Sequence, residues 1–311
     1  MLYDNSMNNS KHLEYSFWVK LASTSAVVAA LLMLLVKTYA WALTDSASVL
    51  ATLADSVFDI AASLINLFVL RYSLTPADNE HRFGHGKAES LAGLMQAAFI
   101  IGSAILLIFH SVGRLSHPTR ITNLDVGYSA ILVTLVITLI LVTIQSLALR
   151  KTNSVAIKAD SLHYKGDILM NLGVLFALVL NQQGIVTIDA WVAVAIACYL
   201  MFGAVQIGRE SLDSLMDKEL PDDVHAQVLA LAKGVELVNG VHDLRTRQAG
   251  GTIFIQLHLE LDDDLSLLQA HQIGDKVEAL LTEFKPNADV LIHLDPMSVV
   301  SSPKDPITFT N

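Results

Sequence analysis

The sequence predicts an α-helical membrane protein with six transmembrane helices, followed by a small C-terminal α+β domain of αββαβ order. Three observations carry this. Charged residues make up only 16% of the 311, against about 25% in ordinary soluble domains. Apolar residues fill the stretch from Phe17 to about Leu215 and thin out beyond it. The charge is also divided: from Asp217 onward 16 Asp and Glu face 7 Lys and Arg, whereas the part before it has 14 against 13. An acidic terminal domain repels nucleic-acid phosphates and suits cations.

A spanning helix needs about 20 predominantly apolar residues. Six stretches qualify, at 17–43, 47–74, 89–115, 125–149, 154–181 and 188–214. They imply an N-terminal tail of 1–16, a transmembrane domain of 17–215, a cytoplasmic domain of 216–300 and a C-terminal tail of 301–311. No cleavable secretory signal precedes the first run, so that run is expected to stay as an anchor. The fourth span, Val126 to Leu149, is nearly all aliphatic residues and threonine and reads as a plain lipid-facing helix. An even number of spans puts both termini on one side. If that side is the cytoplasm, the inner loops hold Arg71, Arg82, Lys87, Arg150 and Lys151 and the outer loops only Arg114 and Arg120, as the positive-inside rule requires. The single cysteine, Cys198, lies in an apolar run, which excludes an intrachain disulfide framework.

In the terminal domain, Pro221 with Asp222 and Asp223 opens a helix to about Val235. Strands are expected at Val241–Gln248 and Thr252–Leu261, joined at Gly250-Gly251. Ser266 with Gln269 forms a capping-box signature for a second helix, and Ala288–His293 is a third strand.

The second and fifth spans are the polar ones. Asp55 and Asp59 lie four residues apart and share a helix face. Carboxylates at mid-membrane are costly, and two on one face repel unless a cation or proton sits between them. Lys37 of the first span is one available partner. The fifth span answers with His163 and Asp167 at the same spacing. Packed face to face, the two helices would bring three carboxylates and an imidazole together, a set that zinc accepts and that also admits Cd²⁺, Fe²⁺, Co²⁺ or Mn²⁺. Bound metal requires neutral imidazole and ionised carboxylates, and an imidazole exchanges protons near neutral pH, so such a site suits proton-coupled exchange. Asp160, one turn before His163 but nearer the membrane surface, reads as an interfacial or entry residue and not a ligand.

Two further groups could hold metal. In the loop after the second span, Asp78, His81 and His85 stand in a DxxHxxxH pattern. In the terminal domain, strand alternation puts His258 on the polar face, away from Ile253, Ile255, Leu257 and Leu259. His293 and Asp295 share a face of the last strand, and His242 and His271 complete a cluster of four histidines and one aspartate. The chain has no HExxH and no Ser/His constellation, which argues against a membrane metallohydrolase. Ionisable residues confined to two of six helices argue against a channel.

The DxxxD of the second span and the HxxxD of the fifth resemble the transport site of the cation diffusion facilitator family. PADNEHRFGHGKAESLAGL, ADSLHYKGD, VHDLRTRQAGGTIFIQLHLEL and VLIHLDP extend the resemblance over nearly the whole chain. It implies a homodimeric bacterial inner-membrane transporter exchanging cytoplasmic Zn²⁺, and also Cd²⁺ or Fe²⁺, for protons. It implies metal at Asp78, His81 and His85, and a cytoplasmic, metallochaperone-like domain holding two metals with Asp295 as a bridge. It implies an interlock between Lys87 and Asp217 near the membrane surface. No cofactor beyond the metal ions is implied. The partners are metal cations, protons, membrane lipid and a second copy of the chain, with no nucleic acid.

Overall fold

A computed structural model describes residues 5–44, 47–116, 125–181 and 188–300. Six long helices come first: α1 (Asn5–Thr44), α2 (Ala47–Ser73), α3 (Lys87–Ser116), α4 (Asp125–Thr152), α5 (Val155–Asn181) and α6 (Ile188–Leu215). Then come α7 (Asp222–Lys233), β1 (Gly240–Ala249), β2 (Thr252–Leu261), α8 (Leu267–Phe284) and β3 (Ala288–Pro296). The helical bundle, Tyr15–Leu212, and the α/β domain from Asp213 onward are separate compact units. Helix α1 starts well ahead of its apolar run, so much of the expected N-terminal tail is helix. Among the described residues, five helices are long and apolar enough to cross a membrane. The exception is α5, interrupted by Lys158, Asp160, Lys165 and Asp167.

Lipid offers helices no hydrophobic reason to associate, so close approach through small residues decides the packing. On α1, Ala22, Ala26, Ala29 and Ala30 are buried. A Cβ on Gly166 of α5 would come within 2.9 Å of Leu200 of α6, and one on Gly173 within 2.8 Å of Val192. Apolar side chains from five helices close the bundle at the end where α1 begins and α6 finishes, the proximal end. There Tyr15, Val19, Ala22, Leu70, Ala92, Ala148, Ala156 and Ile157 form one core cluster. The Tyr15 hydroxyl donates to the buried carboxylate of Glu89, tying α1 to α3. Ser154 and the Val155 amide donate to the same carboxylate, which so caps the start of α5.

Helix α4 departs from the lipid-facing helix expected of it. Val133, Val136, Leu139, Ile140 and Leu147 are exposed, but Thr138, Leu141, Gln145 and Ala148 are buried. The Thr138 hydroxyl donates to the backbone carbonyl of Thr134, and Gln145 Nε2 donates to Asp160 Oδ2 of α5 at 2.7 Å. One hydroxyl and one amide on the same side are enough to give an aliphatic helix an inward face. Asp160 is correspondingly buried inside the bundle, at 3% exposure.

In the terminal domain the strands lie in the order β1-β2-β3, with β1 antiparallel and β3 parallel to the central β2. Helices α7 and α8 cover one face. Val228 and Ala232 of α7 and Ile273, Val277 and Leu281 of α8 pack on Ile255, Leu257, Leu259 and Leu261. The Ser266–Gln269 capping box forms as expected. Gly250, at φ +57, makes the tight turn between β1 and β2, a conformation cheap only for glycine. The opposite face of the sheet is left without a helix among the described residues and carries the histidines.

Candidate metal centres

The face-to-face packing of α2 and α5 produces the first centre. His163 Nε2 stands 3.2 Å from Asp59 Oδ1 and 4.0 Å from Asp167 Oδ2. One ligand atom from each of these three residues fits within 4.8 Å of the others. Phe99 of α3 sets its ring edge-on to the imidazole, centroids 6.2 Å apart. Asp55 is not drawn into this trio. It lines the same cavity one turn away and is exposed. Lys37 lines the cavity too and donates to Ser56 Oγ at 2.6 Å.

The cavity, about 800 Å³, runs from Asp59 and His163 toward the distal end of the bundle. His110 of α3, Thr134 of α4 and Asn171 of α5 stand along that stretch. Ionisable residues of α1, α2, α3 and α5 therefore line it, not of two helices alone. Sequence reasoning misses His110 because its only signal is a lone imidazole at the end of an apolar helix.

The second centre is the α2–α3 connection. Asp78 Oδ1 accepts the backbone N–H of His81 at 2.6 Å and of Glu80 at 2.9 Å, and these two donors hold the Asp78 carboxyl below the usual range. His85 is buried, not solvated, against the ring of Tyr72. Its Nδ1 lies 3.2 Å from the Thr75 carbonyl, a contact that puts the proton on Nδ1 and leaves Nε2 as the lone pair. That Nε2 faces Asp78 Oδ2 at 3.5 Å, and His81 Nδ1 is 3.6 Å from Asp78 Oδ1.

The third centre is a row across the open sheet face. His242 pairs with His258 and His258 with His293 in the strand register, so three imidazoles stand abreast. Asp295 collects them: its Oδ2 lies 2.7 Å from His258 Nδ1 and 3.3 Å from His242 Nε2, and its Oδ1 3.1 Å from His293 Nε2. Partial burial pulls the Asp295 carboxyl upward, but the His258 hydrogen bond and the fields of the three imidazoles outweigh it and hold it below the usual range. Three imidazoles and a carboxylate are a donor set that zinc accepts. Glu260 joins as a partner of His242 Nδ1, at 3.0 Å. The histidine count passes over it, although its position two residues after His258 on the same face announces it. His271 does not join. It sits on α8, 68% exposed, beside Asp275, on the helix-covered side of the sheet.

Replacing both His242 and His258 by alanine removes two of three imidazoles from Asp295. Calorimetric titration of the full-length protein with Zn²⁺ is expected to show lower stoichiometry while the intramembrane site still titrates. Unchanged stoichiometry would reduce the row to surface decoration.

Comparison with known proteins agrees along the chain. A solved structure of CzrB in its zinc form aligns with 27% of this chain and 98% of its own, at 28% identity and a TM-score of 0.26. The chain is 50% identical over 288 residues to the cation-efflux pump FieF of Yersinia pestis (strain Pestoides F), covering 92% of this chain and 96% of the relative. The figures are the same for FieF of Yersinia pseudotuberculosis serotype I (strain IP32953). The family model of the cation efflux transmembrane domain matches residues 23–216, and that of the cation efflux protein cytoplasmic domain matches 220–297. These two models between them take in both bundle and terminal domain, and the chain belongs to the cation efflux family: a multi-pass membrane transporter of metal cations, not an enzyme.

Proposed function

We propose that the protein exports divalent transition-metal cations, Zn²⁺ foremost with Cd²⁺ and Fe²⁺ as further cargo, from the cytoplasm across the bacterial inner membrane in exchange for protons. The observation that supports this most directly is the meeting of Asp59, His163 and Asp167 at the base of the intramembrane cavity. An imidazole among carboxylates suits zinc and cadmium better than hard cations. Asp55 supplies the fourth ligand when a cation draws it one turn inward. Protons and cation compete for the same atoms, so protons arriving through the cavity displace the cation and prepare the site for return. With both termini cytoplasmic, the proximal end faces the cytoplasm and the cavity faces away from it.

The active form is a homodimer paired through the cytoplasmic domains, with the His242, His258, His293 and Asp295 row as its metal site. Pairing two copies gives His271 access to a ligand set it lacks within one chain. Asp78, His81 and His85 form an accessory site that stiffens the α2–α3 connection. Lys87 and Asp217 interlock at the membrane surface; within its own chain Asp217 faces Arg247 at 3.2 Å, a contact that the interlock must share or replace.

The test is Zn²⁺ uptake into proteoliposomes with an imposed pH gradient. An exchanger moves protons opposite to zinc and stops when the gradient opposes it. Zinc flux with no counterflow of protons would make the protein a channel.

A further inference from the structure

At the closed proximal end of the bundle lies an acid that the four-ligand site does not use. Asp160 is 3% exposed, on α5, one turn on the closed side of His163. Its carboxylate accepts from a neutral amide, Gln145 Nε2 of α4. Gln145 is itself fully buried, and its Oε1 has no partner among the described residues. Beside them, Ser63 Oγ of α2 and Tyr164 Oη of α5 bond each other at 2.8 Å, both buried. On α2, one turn nearer the proximal end, Asn66 Oδ1 is buried without a partner among the described residues. Apolar contacts hold this end shut, yet oxygen-bearing side chains of α2, α4 and α5 run through it. A buried carboxylate and an orphaned amide oxygen are poorly served by a hydrocarbon surrounding. Both are served by a cation, because carboxylate and amide oxygens are cation ligands.

We propose that Asp160 and Gln145 form an inner station for the divalent cation. In the state open to the cytoplasm, the incoming ion would touch Asp160 Oδ and Gln145 Oε1 before passing one turn along α5 to His163, Asp167 and Asp59. The amide rotates to present Oε1, and the Ser63–Tyr164 bond opens with the helices. The station is a ligand pair of the entry path, separate from the four residues that hold the ion for exchange. This inference rests on the export reading above. Zinc uptake by the wild-type protein tests that reading separately, because its absence would remove the transport activity itself.

The experiment compares wild type with Asp160→Asn, which keeps the size and a hydrogen bond to Gln145 but removes the charge. Zn²⁺ uptake from the cytoplasmic side and equilibrium Zn²⁺ binding to the intramembrane site are both measured, with the other two metal centres mutated away. The expected result is a KM for uptake raised about ten-fold, with binding to the four-ligand site changed less than about two-fold and the melting temperature retained. Asp160→Glu restores KM. So does moving the charge across to α4 in the double variant Asp160→Asn/Gln145→Glu, which a purely local role on α5 would not permit. An unchanged KM in Asp160→Asn overturns the proposal. So does a loss of equilibrium binding that matches the rise in KM, because Asp160 would then act only through the field of the main site. If Asp160→Asn alone fails to fold, the double variant decides, and a raised KM in a folded double variant, or failure of that variant to fold as well, also overturns it.

Discussion

Asp59→Ala is expected to reduce zinc uptake to the level of empty vesicles. Asp59 is the α2 member of the trio and sits 3.2 Å from His163 Nε2, so its removal leaves the two α5 ligands with only Asp55, one turn away, across the helix interface. Even changes to residues that merely support metal ligands cost about 10–100-fold in affinity, so loss of a ligand itself should exceed about 100-fold. Stability should suffer little, because the α2–α5 contact loses an electrostatically crowded carboxylate and no packed apolar surface. The discriminating pair of measurements is uptake, which should vanish, and the thermal unfolding of the detergent-solubilised protein, which should hold. Normal uptake would place the transport site elsewhere.

His163→Asp is the second large effect, and it concerns selection more than rate. The substitution turns the centre into four carboxylates. Hard cations such as Mn²⁺ prefer all-oxygen shells, whereas the imidazole nitrogen favours zinc and cadmium. The ratio of zinc to manganese affinity at the intramembrane site should therefore fall. The pH midpoint of zinc binding should move as well, since a group of the imidazole class is exchanged for one whose unperturbed value is about 4. Like-charge crowding raises some of the carboxyls in return, so coupling to protons persists in altered form. The measurement is zinc and manganese titration across pH with the loop and cytoplasmic centres mutated away. An unchanged midpoint and ratio would mean that His163 is neither ligand nor proton carrier. The accessory centres behave differently under acid. Asp78 and Asp295 are both held below the usual carboxylate range, so each stays ionised as the pH falls from neutral toward about 4.

What the sequence by itself determined is whatever repeats with a local period. The i, i+4 spacing of Asp55 with Asp59 and of His163 with Asp167 specifies two polar helix faces, because 3.6 residues per turn put them there. Alternation along Thr252–Leu261 specifies that His258 stands opposite Leu257 and Leu259, and Ser266 with Gln269 specifies where α8 begins. Only the tertiary structure decided which faces meet. Gln145 in an aliphatic helix carries no period of its own, and it becomes a buried partner of Asp160 only because α4 is rotated toward α5. His85 becomes buried because its loop folds back on Tyr72 and Thr75. His271 falls outside the histidine row because α8 covers the opposite face of the sheet, which no count of histidines reveals. The direction in which the cavity runs is of the same kind. Period fixes the composition of each face, whereas rotation of one helix against another depends on close packing at sites such as Gly166 and Gly173, residues far apart in the chain from those they touch.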